Sequence, residues 1–210
     1  DPFVTNESTL AWSENEGEFV RGDRSPALHP PRWPFDSFFG PGASWVDRER
    51  GYIYFFGVRT YQAGFPVRLA RVRATLSALH DHLQYEYWTG STWQRPDPAD
   101  EYALARLADP AADLLPGSAT QNTRPEISIA YNPYVDRFTM LVQNDATPFM
   151  NEAQTFYQLW EAKKLEGPWT RVDTREDLVL KAGTYGAYMS DHTLAEGGRD
   201  VYFALSDWDL

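Results

Sequence analysis

Apolar and aromatic positions recur with a period of two between short clusters of Gly, Pro, Asn and Asp, and this alternation predicts strands separated by turns. The first set is residues 51–57 (Gly-Tyr-Ile-Tyr-Phe-Phe-Gly), 67–72 (Val-Arg-Leu-Ala-Arg-Val) and 85–88 (Tyr-Glu-Tyr-Trp), the last running into Thr89-Gly90. A second set begins at 126–131 (Glu-Ile-Ser-Ile-Ala-Tyr), turns through Asn132-Pro133-Tyr134-Val135-Asp136, and continues with 137–142 and 156–162 ahead of Gly167-Pro168-Trp169. Each set reads as a meander of neighbouring antiparallel strands.

The sets are also alike in internal order. Residues 42–46 followed by 52–56 match 127–131 followed by 138–142, and match again 187–190 followed by 201–205: a small-residue strand, a polar turn, then an aromatic-rich strand. Repetition of such a unit is the mark of radial or stacked β architectures, and a four-stranded propeller blade fits it best. The expected fold is therefore all-β, a β-propeller in which residues 1–30 form the outer end of one blade. Residues 37–95 and 123–172 form two blades, and 184–210 begin another. Residues 96–122, rich in Pro, Asp and Ala, read as an insertion with a short helix expected over 101–108 before Asp109-Pro110. An insertion of this kind decorates a binding face or forms a solvated surface loop. That is roughly three blades, while propellers close with at least about four. The expectation is a chain covering part of a ring, its remaining blades supplied by the rest of a longer chain or by a partner subunit.

Composition narrows the function. With 12 Phe, 12 Tyr and 8 Trp in 210 residues, beside 14 Gly and 15 Pro, strands and turns outweigh packed helices. The balance of 19 Lys+Arg against 30 Asp+Glu gives −11 and a sequence pI near 4.8, so phosphate polymers are repelled and nucleic acid is excluded as an expected partner. Absence of Cys removes disulfides, Cys-ligated metals and thiol nucleophiles. Mean hydropathy of −0.53, without an apolar run of about 18 residues, removes insertion of a helix into a membrane. The start at Asp1-Pro2 reads as a cut or processed end. Nucleotide-loop, dinucleotide, zinc-protease and lipase motifs are all missing from the sequence.

Several stretches carry a family resemblance: Phe39-Gly40-Pro41-Gly42-Ala43-Ser44, 52–57, Leu69-Ala70-Arg71-Val72, Tyr85 through Gly90, 126–134, Gly167-Pro168-Trp169, Tyr185-Gly186-Ala187-Tyr188-Met189 and 201–208. Together, over about residues 35–210, they resemble a family of bacterial five-bladed β-propellers long classed as of unknown function. Some of its members are endo-acting D-arabinofuranosidases, and the wider group is similar to the propeller glycosidases that cleave arabinans and fructans. The resemblance implies a secreted glycoside hydrolase-like protein acting on polysaccharide or oligosaccharide. No cofactor is required by that chemistry, and an ion such as calcium in the central channel is compatible with it.

Glycoside hydrolysis needs two carboxylic acids across the scissile bond. The innermost strand of each blade lines the funnel, so acids near the starts of such strands are the candidates. Glu126 opens one, beside apolar Pro125 and Ile127, which would raise its pKa toward that of a general acid. Asp36 precedes another, between aromatic residues, and Asp191 is read as the equivalent strand-end position of the last blade. Trp33, Phe35, Tyr185 and Tyr188 offer flat apolar faces to sugar rings. Arg59, Arg124 and His192 offer hydrogen bonds to hydroxyl or acidic groups. Structural roles fit the same residues: a Glu126–Arg124 ion pair, an Asp36-Ser37 side-chain turn, a hydrogen-bonded His192. His80-Asp81-His82 reads as a turn in an outer connection rather than a metal site, and no metal ligands are assigned. A non-catalytic carbohydrate-binding propeller, or a structural one, is the alternative to the enzyme.

Overall fold

The computed structural model describes residues 7–13, 17, 19–21, 32–34, 40–58, 66–96, 110–115, 123–145, 155–172, 179–180 and 184–207. The helix expected over 101–108 lies outside them.

Two five-stranded antiparallel sheets dominate. Four short strands precede them: β1 (Glu7–Thr9) pairs with β4 (Arg32–Pro34), and β2 (Ala11–Trp12) with β3 (Val20–Arg21). The first large sheet runs in sequence order through β5 (Gly40–Asp47), β6 (Tyr52–Val58), β7 (Arg68–Arg73), β8 (Glu86–Trp88) and β9 (Trp93–Gln94). The second runs through β10 (Thr123–Asn132), β11 (Arg137–Asp145), β12 (Thr155–Ala162) and β13 (Thr170–Arg171), with β14 (Val179–Leu180) also paired to β12. Both are meanders, as the alternation predicts. A third unit pairs β15 (Thr184–Tyr188) with β18 (Ala204–Asp207), and the hairpin β16 (Leu194–Ala195) with β17 (Asp200–Val201) lies between them in sequence. The repeat expected over 201–205 is thus divided: Val201 pairs with Leu194, and the partner of β15 starts only at Ala204.

The only α-helix among the described residues is α1 (Leu76–Leu79), capped by the Thr75 hydroxyl accepting from the Ala78 N–H at 3.3 Å. It and a 3-10 turn at His82–Gln84 make the connection from β7 to β8. His80 and His82 therefore sit in an outer crossover, as the turn reading expects.

The two-residue period decides how the sheets stack, because successive side chains point to opposite faces. Tyr54, Phe56 and Val58 of β6 meet Ile127 and Ile129 of β10, Met140 and Val142 of β11, and Trp160 and Ala162 of β12 in one buried core between the large sheets. Phe56 meets the Trp169 ring edge-on at 6.4 Å, and Trp45 meets Phe138 at 5.5 Å. The opposite face of the first sheet packs Phe55, Ala70, Val72, Tyr85 and Tyr87 against Leu10. The opposite face of the second packs Ala130, Leu141 and Tyr157 against Met189, Leu194, Val201 and Phe203. Both large sheets are therefore apolar on both faces, which explains the excess of aromatics over what a one-sided sheet needs.

First strands lie together: β10 neighbours β5 toward the first sheet and β15 toward the third unit. Antiparallel sheets stacked face to face, each with its first strand against the first strand of the next, are the arrangement of β-propeller blades. The fold is all-β and propeller-like.

Candidate functional site

All three first strands are irregular near their starts. In β5 the pairs Pro41–Gly57 and Ala43–Phe56 leave Gly42 as an extra residue. In β15 the pairs Tyr185–Ser206 and Ala187–Leu205 leave Gly186 unpaired. In β10 the pairs Thr123–Asn144 and Ile127–Val142 leave Arg124, Pro125 and Glu126 facing Gln143 alone. The sequence explains two of the three. Pro125 has no N–H to give the ladder, and Gly186 takes φ +67°, a left-handed conformation that suits glycine. Bulges of this kind bend a strand and re-aim its side chains, and they gather beside active sites.

The three bulges share one end of the molecule. Gly186 N–H donates to the Gln143 side-chain oxygen at 3.0 Å, so the residue opposite the β10 bulge also holds the β15 bulge. At the other end of the same strands, the Tyr131 N–H donates to an Asp191 carboxylate oxygen at 3.2 Å. β10 and β15 therefore run in the same direction, their starts together and their ends together.

Buried polar side chains collect at the bulged end. Gln143 and Asn144 finish β11, Arg68 opens β7 opposite Gly57, and Tyr157 stands across from Gln143; all are buried. Burying such groups costs free energy unless hydrogen bonds offset it, and the Gln143 side-chain oxygen accepts from the Gly186 N–H. Gln143 was not singled out by the sequence. Its signal there was faint: a Gln-Asn pair closing an otherwise apolar strand.

Of the sequence-derived candidates, Trp33 lies in β4, Arg124 and Glu126 in the β10 bulge, and Tyr185 beside the β15 bulge, by backbone position; their side chains lie outside the described part. Asp36, Phe35 and Arg59 lie outside the described residues altogether. Asp191, His192 and Tyr188 are described, and they are exposed. Asp191 follows the end of β15, the strand-end placement expected of it, and its carboxylate ties down the backbone at Tyr131. From Glu126 to Tyr131 the strand rises by about 16 Å, at roughly 3.3 Å per residue. Carboxylate pairs that cleave glycosides stand about 5 to 10 Å apart. Asp191 and Glu126 therefore belong to opposite ends, and His192, in the exposed 3-10 turn that Asp191 begins, goes with the former. Tyr188 also ends β15. Among the described residues no group of three or more His, Asp or Glu is placed to hold a metal ion.

Two hollows accompany this layout. A small one of about 270 Å³ lies at the Asp191 end, lined by Trp45, Tyr131, Pro133, Leu194 and the Gly197-Gly198 turn. A larger one of about 660 Å³ lies between the two large sheets and is lined among others by Tyr54, Arg71, Trp88, Asp113, Glu166 and Trp169.

No curated protein matches the chain. Among solved structures, a GH43 beta-1,3-galactosidase with galactodeoxynojirimycin aligns at a TM-score of 0.34 and 10% identity, over 78% of this chain and 36% of that one. The chain thus spans about a third of the length of that relative. The family model described as a domain of unknown function, DUF4185, matches residues 2–210, and the chain belongs to that family.

Proposed function

We propose that this protein is a glycoside hydrolase-like propeller that cleaves a furanose-rich polysaccharide such as arabinan, with Glu126 as general acid and Asp36 as the second carboxylate. The observation that carries the reading is the set of three bulges at one end of the first strands, the middle one containing Glu126. A further support is the buried polar shell around Gln143 at that same end. Asp36 stands four residues ahead of Gly40, where β5 begins.

The chemistry follows from the residue types. Glu126 in this reading is the general acid, and in its neutral form it gives its proton to the leaving oxygen. Asp36, ionised, either attacks the anomeric carbon or takes a proton from the water that does so; the separation of the two carboxyl groups selects between these routes. Trp33, Phe35 and Tyr185 supply stacking faces for the sugar, and Arg59 and Arg124 supply donors to its hydroxyls. The reaction requires no cofactor. A polymeric substrate goes with secretion, and the ring in this reading has five blades, of which residues 37–95 and 123–172 are two.

The test is release of oligosaccharides from D-arabinan, L-arabinan and fructan by the full chain, wild type beside Glu126→Gln and Asp36→Asn. Turnover of one glycan that either substitution abolishes, with folding intact, supports the hydrolase. Binding without turnover by the wild type replaces it with a carbohydrate-binding propeller.

A further inference from the structure

The ladder does not hold the segment that carries Glu126. At Gly42 and Gly186 a single residue is extra, whereas β10 sets Arg124, Pro125 and Glu126 against Gln143 alone. Pro125 has no N–H to give, so for three residues the backbone advances without a register of its own. Its course is then fixed by what the neighbouring strands supply.

Gln143 is the side chain placed to supply it. Its backbone stands opposite Tyr157 on β12, and residues directly opposite share a face of the sheet. Tyr157 packs with Leu141 and Met189 between the second large sheet and the third unit, so Gln143 projects to that same side. The hydrogen bond to Gly186 shows where it ends. Its oxygen accepts from a backbone N–H that the β15 bulge leaves outside the β15–β18 register, since the pairs Tyr185–Ser206 and Ala187–Leu205 skip Gly186.

Both partners of this bond are buried. Gly186 is held by its surroundings as well: at φ +67° it is left-handed, and a Cβ there would stand 2.6 Å from the Tyr188 ring. An apolar side chain at 143 would leave the Gly186 N–H buried without this acceptor, which is costly for a backbone donor. Gln143 thus joins two bulges that belong to different sheets, one opposite its own backbone and one at the tip of its side chain.

We infer that Gln143 is a positioning residue: its side chain locks the β15 bulge to the strand that faces the β10 bulge, and so sets the spacing between the strand of Glu126 and that of Tyr185. The service to catalysis rests on the proposed function; the lock between the strands does not. A shift of about 1 Å in a reacting group can cost on the order of 100-fold in rate. Acting through the strands, Gln143 affects the reacting geometry more than the hold on substrate, so its loss falls on kcat and leaves KM nearly unchanged.

The experiment compares the full chain as wild type, Gln143→Met, Gly186→Ala and the two together, on D-arabinan, L-arabinan and fructan. Amide hydrogen exchange at Gly186 is followed by NMR in wild type and Gln143→Met. Methionine keeps the length of glutamine and removes the acceptor; should it fail to fold, Gln143→Asn, which draws the oxygen back by one methylene, reads the same loss. The lock predicts exchange at Gly186 faster by about tenfold or more, kcat lower by about tenfold or more, and KM changed by less than about threefold. The double variant should fall within about threefold of the slower single one, because both substitutions break the same connection. Asn132→Ala, at the other end of the strands, should add no further loss to Gln143→Met. Unchanged exchange at Gly186, a kcat within about threefold of wild type, or losses that multiply in the double variant overturns the inference. If wild type turns over none of the three glycans, the hydrolase reading fails and the positioning role with it, while exchange at Gly186 still decides whether the lock exists.

Discussion

The two ends of the first strands are built differently although the same three strands make both. At one end β5, β10 and β15 each lose register, glycine or proline stands in the irregularity, and Gln143 and Asn144 are buried there. At the other end the strands close in turns held by local hydrogen bonds. Asp47 accepts from the Arg50 and Gly51 N–H groups at 2.9 Å, and Asn132, buried, accepts from Tyr134 N–H at 3.0 Å and donates to Gly198 at 2.8 Å. Tyr131 and Asp136 share a short hydrogen bond between their side chains. At this second end the side chains of Asp47, Asn132 and Tyr131 all meet partners in or beside the turns. Disorder in the ladder at the first end is a departure from that pattern, and repetition on three strands makes it a feature of the fold.

That contrast separates substitutions that unfold the protein from those that silence it. The largest loss of stability is expected in the core shared by both ends: Phe56→Ala or Met140→Ala should cost about 3 to 5 kcal/mol in chemical denaturation, since each side chain is fully enclosed. Asn132→Ala comes next, at roughly 1 to 3 kcal/mol, because it leaves the buried Gly198 carbonyl and the Tyr134 N–H without their partner. Its activity should equal that of the wild type once the protein is folded. Gly186→Ala should cost about 1 to 2 kcal/mol for the left-handed backbone, and a Cβ there would also press on the Tyr188 ring at 2.6 Å. Here the expected signature is reversed: a modest fall in stability with a large fall in turnover. Arg199→Ala removes exposed pairs with Glu196 and Asp200 and should move the midpoint by less than about 0.5 kcal/mol. If Gly186→Ala and Asn132→Ala changed turnover equally, the distinction between the ends would be lost.

Much of this was legible in the sequence because alternation writes strands directly. The runs at 51–57, 67–72 and 137–142 form β6, β7 and β11 within three residues of the predicted bounds, and the likeness of their order gave the stacked sheets. Strand direction across sheets was not legible, since no local pattern states which ends of β10 and β15 lie together, and so neither was the separation of Asp191 from Glu126. Bulges were not legible either: Arg124-Pro125-Glu126 reads equally as the loop before a strand. The larger hollow between the two large sheets joins side chains from β6, β7, β8, the insertion and the β12–β13 turn, a set that only the folded chain assembles.

The central claim is that chemistry resides at the bulged end and not at the Asp191 end. The most direct measurement is the rate of oligosaccharide release from D-arabinan, L-arabinan and fructan by wild type, Glu126→Gln and Asp191→Asn, each shown to be folded by circular dichroism. The account predicts a loss of roughly 100-fold or more for Glu126→Gln, as for removal of a general acid, and less than about threefold for Asp191→Asn. A large loss for Asp191→Asn with Glu126→Gln near wild type would contradict it and move the site to the other end of the strands.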